Sequence, residues 1–130
     1  MIFTRASGVA LVDAVAASCA LPGVWPPVGI GGRRYIDGGI RSGTNADLAA
    51  GCERVLVITP SLADAPQPWG DLESEIESLK PAEVRVVHAD AASRAAFGPN
   101  PLSPATRGAS ARAGRTIGKL RAAELAAFWS

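Results

Sequence analysis

The chain has 130 residues, with 13 Lys+Arg against 12 Asp+Glu and a formal charge of +1. That length allows one small domain, and the balanced charge argues against a nucleic-acid partner, because neutralising phosphates needs a clear basic excess on one face. Apolar residues make up 48% of the chain, enough to build a core, but only 5% is aromatic and alanine is frequent, so that core is expected to be thin.

Residues 1–5 show no basic region leading into an uninterrupted apolar run, so no signal peptide is expected. The longest apolar stretch, residues 9–28, is broken by Asp13, Ser18 and three prolines and does not read as a bilayer span. A cytoplasmic chain without a transmembrane segment follows as the expectation. Within that stretch, residues 9–21 predict a buried helix closed by Pro22-Gly23. Two short β-like runs, Val28-Gly29-Ile30 and Arg33-Arg34-Tyr35-Ile36, flank Gly31-Gly32. A tight hairpin is predicted there, since its turn needs positive φ at both central positions. The hairpin delivers the chain to Asp37-Gly38-Gly39.

A short helix is expected from Asn45 to Ala50, capped by Thr44 or Asn45 and stopped by Gly51. Residues 54–60 form a continuous β-branched run, the pattern of a strand covered on both faces. Residues 63–69, with two prolines, predict a loop. An acidic helix over 71–79 and a second strand over 83–88 complete a β-α-β order, which implies a parallel sheet and the α/β class. After a proline-rich turn near 97–104, residues 105–128 predict an amphipathic helix laid on the sheet. Ala113, Ile117, Leu120 and Phe128 share its inner face, and Arg112, Arg115 and Lys119 lie opposite.

Residues 94–121 carry six basic side chains and no acidic one. This is either a solvated face or a patch for peripheral contact with anionic lipid. Cys19 and Cys52 are in no C-x-x-C and have no histidine at ligand spacing; they read as reduced thiols or small core residues. No metal and no cofactor are expected. His88, at the end of an apolar strand, reads as a hydrogen-bonded edge residue.

The densest candidate site is Tyr35-Ile36-Asp37-Gly38-Gly39-Ile40. A carboxylate at a strand end, followed by two glycines, can turn its side chain toward whatever lies above the sheet edge; the plainer alternative is that Asp37 bonds its own turn amides. Asn45, eight residues on, falls near the same edge as a site-shaping or turn residue, and Ser18 is either a helix-packing or a supporting residue.

These blocks together resemble the patatin-like phospholipase family. The resemblance rests on residues 11–28 (LVDAVAASCALPGVWPPV), on Tyr35-Ile36-Asp37-Gly38-Gly39 and on Asn45-Ala46-Asp47-Leu48-Ala49. Residues 93–102, Ala113-Gly114-Arg115-Thr116-Ile117-Gly118 and the terminal Phe128-Trp129 are similar to the tail of its bacterial esterase-like members. The resemblance implies an α/β fold with a central sheet and flanking helices. It also implies a serine acyl hydrolase acting on a lipid or ester through a Ser-Asp dyad, with Asp37 as the acid, Gly38, Gly39, Ser18 and Asn45 around it, and no cofactor.

One departure is decisive. No G-x-S-x-G occurs anywhere; the nearest match, Gly108-Ala109-Ser110-Ala111-Arg112, lacks the final glycine and falls inside the last predicted helix. The chain therefore looks like the C-terminal portion of such a domain, residues 1–130 holding the acid while the N-terminal half with the serine is absent. It is expected to be inactive alone, with a partner chain as one source of the nucleophile. The alternative is a non-catalytic α/β module that binds a partner chain.

Overall fold

A computed structural model describes residues 1–61, 71–100 and 102–130, so the loop expected over 63–69 lies outside the described residues. The architecture is mixed α/β, and the contacts divide it into two compact units.

The first unit comprises residues 1–48 and the described part of 67–78. Helix α1 spans Leu11–Ser18, and strands β1 (Val28–Ile30) and β2 (Arg33–Tyr35) form an antiparallel hairpin with Val28 opposite Tyr35. Gly31 and Gly32 make the turn at φ 57° and 76°, the left-handed conformation that the Gly-Gly pair predicts. A side chain is strained there whatever the free space, so Gly32→Ala is expected to cost about 1 kcal/mol, read as a lower midpoint in urea with an unchanged slope.

Helix α1 is not the buried helix expected from its composition. Ala17 is buried, but Leu11, Val12 and Val15 are 79%, 72% and 53% exposed. The apolar run is continuous enough to specify a helix, yet it packs on β1 along only one small-residue edge. The unit's core is correspondingly made of alanines: Ala17, Ala20 and Ala46. Short 3-10 turns follow at Gly38–Ile40 and Ala46–Ala49, the second where a short helix was predicted.

Helix α2 (Leu72–Ser78) belongs to this unit, where Glu75 fastens it to the 42–46 turn. Its carboxylate accepts from the Ser42 hydroxyl, from Thr44 Oγ1 at 2.7 Å and from the Ala46 amide at 2.7 Å. Burial pushes the Glu75 carboxyl up, but the three hydrogen bonds outweigh it and hold the group below the usual carboxylate range.

The second unit comprises the described part of residues 49–66 and residues 79–130. Strands β3 (Arg54–Thr59) and β4 (Glu83–His88) pair in parallel, Arg54 with Glu83 through Thr59 with His88. The continuous β-branched run of β3 predicted burial on both faces. The observed strand alternates instead: Val55, Val57 and Thr59 are buried while Ile58 is 73% exposed, so one face of the strand is covered.

Helix α3 (Ala91–Phe97) was not anticipated. Its signal is Asp90, whose Oδ1 accepts from the Ser93 amide at 2.7 Å in an N-cap. That hydrogen bond holds Asp90 below the usual carboxylate range; the Ser93 hydroxyl lies near enough to contribute but makes no hydrogen bond of ordinary geometry.

Helix α4 (Arg107–Trp129) packs against α3. Its inward residues are Ser110, Ala113, Ile117, Arg121, Leu125 and Phe128, whereas Leu120, expected inside, is 75% exposed. Arg112, Arg115 and Lys119 are exposed, as the helical wheel predicts. Near the helix end Phe128 is buried, with the Arg85 guanidinium 5.1 Å from its ring centroid, a cation-π contact that ties α4 to β4. Cys19 and Cys52 are both free and exposed, so neither is a core residue. No helix among the described residues is long and apolar enough to cross a membrane.

Candidate active site

The end of β2 brings Asp37 to a cleft of about 760 Å³ within the first unit. The Asp37 amide donates to the Ala20 carbonyl at 3.0 Å, joining the strand end to the segment just past α1. Asp37 then caps the 3-10 turn Gly38–Ile40, its Oδ1 accepting from the Gly39 amide at 2.7 Å. The plain reading of an Asp-Gly pair is thus realised by one oxygen. Oδ2 makes no hydrogen bond among the described residues, on a half-buried side chain that lines the cleft.

The two glycines act differently from the sharp turn their sequence suggests, because neither adopts positive φ. Gly39 is needed for space: a Cβ there would lie 3.0 Å from Asp37 Oδ1. A Cβ at Gly38 meets nothing within 4 Å, and the role of that residue is its carbonyl, which accepts from Arg41 N at 3.1 Å and from Asn45 Nδ2 at 3.2 Å.

Asn45 is the one non-glycine residue with positive φ among the described residues, at 51°, a conformation asparagine tolerates better than most side chains. Its Nδ2 also donates to the Ser42 carbonyl at 2.8 Å, and its Oδ1 accepts from Arg41 Nη1 at 2.9 Å. It therefore ties the turn after Asp37 into a closed loop. Ser18 lines the same cleft as Asp37, Gly38 and Asn45, at the exposed end of α1, and Gly39 supports Asp37 from behind.

Three contributors have no local sequence signature. Arg41 lines the cleft and forms a two-pronged pair with Asp47, Nη1 to Oδ1 at 2.9 Å and Nη2 to Oδ2 at 2.5 Å. The hydrogen bonding from Arg41 holds the Asp47 carboxyl below its ordinary range. Phe3 stacks edge-on against Tyr35 with ring centroids 5.1 Å apart and forms part of the wall. Glu75 reaches the 42–46 turn from more than thirty positions away in sequence; only the folded chain reveals that pairing. No group of three or more His, Cys, Asp or Glu side chains with metal-binding geometry occurs among the described residues.

Chemically, the cleft offers one carboxylate oxygen fixed by a backbone amide and a second open to a substrate or a neighbouring hydroxyl, on an apolar wall that can lie along an acyl chain.

Residues 2–50 match the family model described as Patatin-like phospholipase. Ser18, Asp37, Gly38, Gly39 and Asn45 all fall inside that segment, while the stretches over 93–102 and 113–118 fall outside it. No curated protein and no solved structure matches the chain. Residues 2–50, which hold the strand-end aspartate, are thus similar to the patatin-like phospholipase family.

Proposed function

We propose that these 130 residues form the acid-bearing portion of a Ser-Asp lipid acyl hydrolase, with Asp37 as the general base. The observation that supports this most is the division of labour on its carboxylate: Oδ1 is held by the Gly39 amide and Oδ2 stays open in the cleft. The nucleophile is a serine on a G-x-S-x-G elbow, which these residues do not contain and which a separate segment or partner chain supplies.

In the first half-reaction the serine oxygen bonds to the ester carbonyl carbon and its proton passes to Asp37. Collapse of the tetrahedral adduct breaks the bond to the alcohol, which leaves with that proton. In the second half, water attacks the acyl-serine and gives a proton to Asp37. The serine departs, reclaims a proton, and a carboxylic acid is released. Ser18, Gly38, Gly39 and Asn45 position the acid in this scheme and take no proton.

A specific observation also favours a second reading, an α/β interaction module without catalysis. The exposed Leu11, Val12 and Val15 give α1 an uncovered apolar face suited to a partner segment. One experiment separates the two. Turnover of a p-nitrophenyl ester is measured for the chain alone and after mixing with a patatin-like segment that carries the elbow. Background hydrolysis alone and a restored rate on mixing are expected for the hydrolase. Tight association without any restored rate leaves the module, and a robust rate from the unmixed chain overturns the need for an external serine.

A further inference from the structure

A chain of hydrogen bonds runs from helix α2 to the candidate acid, and the backbone amides along it fix its direction. Ser42 Oγ accepts from two of them, Thr44 N at 3.1 Å and Asn45 N at 2.8 Å. Its lone pairs are thereby occupied, and the buried hydroxyl has its proton left for Glu75 Oε1. The Ala46 amide, which can only donate, approaches Glu75 Oε2 at 2.7 Å. Both carboxylate oxygens therefore serve as acceptors, a role that suits the ionised form.

The amides of Asn45 and Ala46 are thus tied, through Ser42 and directly, to Glu75. They lie on either side of the Asn45 Cα, whose φ of 51° is costly for a residue with a side chain. The tie holds that conformation, and from it Asn45 Nδ2 reaches the Gly38 carbonyl at 3.2 Å.

The Gly38 carbonyl and the Gly39 N–H are the two ends of one planar peptide group. Asn45 Nδ2 and the Arg41 amide hold the oxygen end, at 3.2 and 3.1 Å, and the N–H end donates to Asp37 Oδ1 at 2.7 Å. A tilt of that plane at its oxygen is a displacement of the carboxylate at its nitrogen. The interior of this unit is made of alanines, which give the turn little hydrocarbon packing, so polar links carry its placement.

We propose that Glu75 is a positioning residue for Asp37, acting through Asn45 and the Gly38–Gly39 peptide. Its catalytic meaning rests on the general-base reading of Asp37, whereas the link itself is a property of the folded chain.

The test is amide hydrogen exchange of the full chain followed by NMR. In Glu75→Gln the side-chain NH2 faces either the Ser42 hydroxyl or the Ala46 amide, donor against donor, whichever way it is turned. The Gly39 amide is expected to exchange about tenfold faster than in the parent, while the Asp37 amide, bonded to the Ala20 carbonyl, keeps its rate. Glu73→Gln, which removes the same charge from an exposed position on the same helix, should match the parent. Asn45→Gly keeps the positive φ and deletes the side-chain link. It should speed Gly39 to a similar degree, and adding Glu75→Gln to it should change Gly39 by less than about twofold more. In the elbow-complemented chain, Glu75→Gln should lower kcat about tenfold with KM within about twofold of the parent.

Equal acceleration of the Gly39 and Asp37 amides would make Glu75 a general fastening of the unit and overturn the proposal. An additive effect in the double variant does the same, as does an unchanged kcat where Asp37→Asn loses its turnover. If Asp37→Asn keeps full turnover instead, the general-base reading fails by itself and the exchange rates still decide the link.

Discussion

Asp37→Asn is expected to lower ester hydrolysis by the elbow-complemented chain about 1,000-fold while leaving its melting temperature unchanged. The size follows from the contribution of a positioned general base, roughly 10²–10⁴-fold. The unchanged stability follows from geometry: the asparagine carbonyl can still accept from the Gly39 amide, as Asp37 Oδ1 does at 2.7 Å, so the cap survives and only the proton acceptor is lost. Two neighbouring substitutions sharpen the reading. Gly39→Ala places a Cβ 3.0 Å from Asp37 Oδ1, tighter than ordinary contact, and the carboxylate has to rotate away; a loss of about tenfold or more is expected. Gly38→Ala meets nothing within 4 Å at ordinary φ and should be nearly silent. The measurement is kcat on a p-nitrophenyl ester beside thermal melting. A purely structural Asp37 predicts the reverse pattern, with Asn harmless to turnover, and that result would sink the general-base role.

The second large effect concerns stability. Glu75→Ala is expected to destabilise the chain by about 2 kcal/mol, a fall in melting temperature of about 10 °C, because it removes a charged acceptor from Ser42, Thr44 and the Ala46 amide together. Ser42 is 4% exposed, so its hydroxyl has little access to water as a replacement. The pH dependence carries a sign. The folded-state Glu75 carboxyl lies below its ordinary value, so its stabilising contribution is present above the unfolded pKa of about 4.3 and is lost as pH falls through the lower, folded value. Asp47, Asp71 and Asp90 are shifted in the same direction and contribute to the same acid limb, which makes the difference between two proteins the proper readout. The parent should lose melting temperature steeply between about pH 5 and 3, and Glu75→Gln should start lower and lose less. Parallel profiles for the two would remove Glu75 from the account.

Much of the local structure was legible in the sequence, and the reasons are local. Gly31-Gly32 between β-like runs can hardly be anything but a hairpin turn, and both residues adopt the positive φ that reading requires. The runs at 54–59 and 83–88 specified two strands, and their parallel pairing follows from a connection too long for a hairpin. Asp37-Gly38-Gly39 marked the place of interest, although the reason for the second glycine is room for Oδ1 and not a special backbone angle.

What the sequence hid depends on partners distant along the chain. The 3.6-residue period of α4 established a helix but not its rotation. Packing against α3, itself unanticipated, turns Arg121 inward and leaves Leu120 exposed. The β-branched run of β3 reported strand propensity and overstated burial, since propensity does not say how many faces are covered. Glu75 falls within the acidic helix expected over 71–79, where nothing in the sequence singles it out, and only the fold brings it to the 42–46 turn.

The joint between Asp37 N and the Ala20 carbonyl has a consequence for the meaning of an alanine-rich chain. Ala17 and Ala20 are 2% and 1% exposed, and it is the shortness of their side chains that lets two stretches of main chain come within 3.0 Å. A leucine in either place would enlarge the hydrocarbon interior and, in the same stroke, wedge helix and strand apart and carry the acid out of register with whatever it serves. Smallness here is the fitting that sets where the Asp37 carboxylate stands.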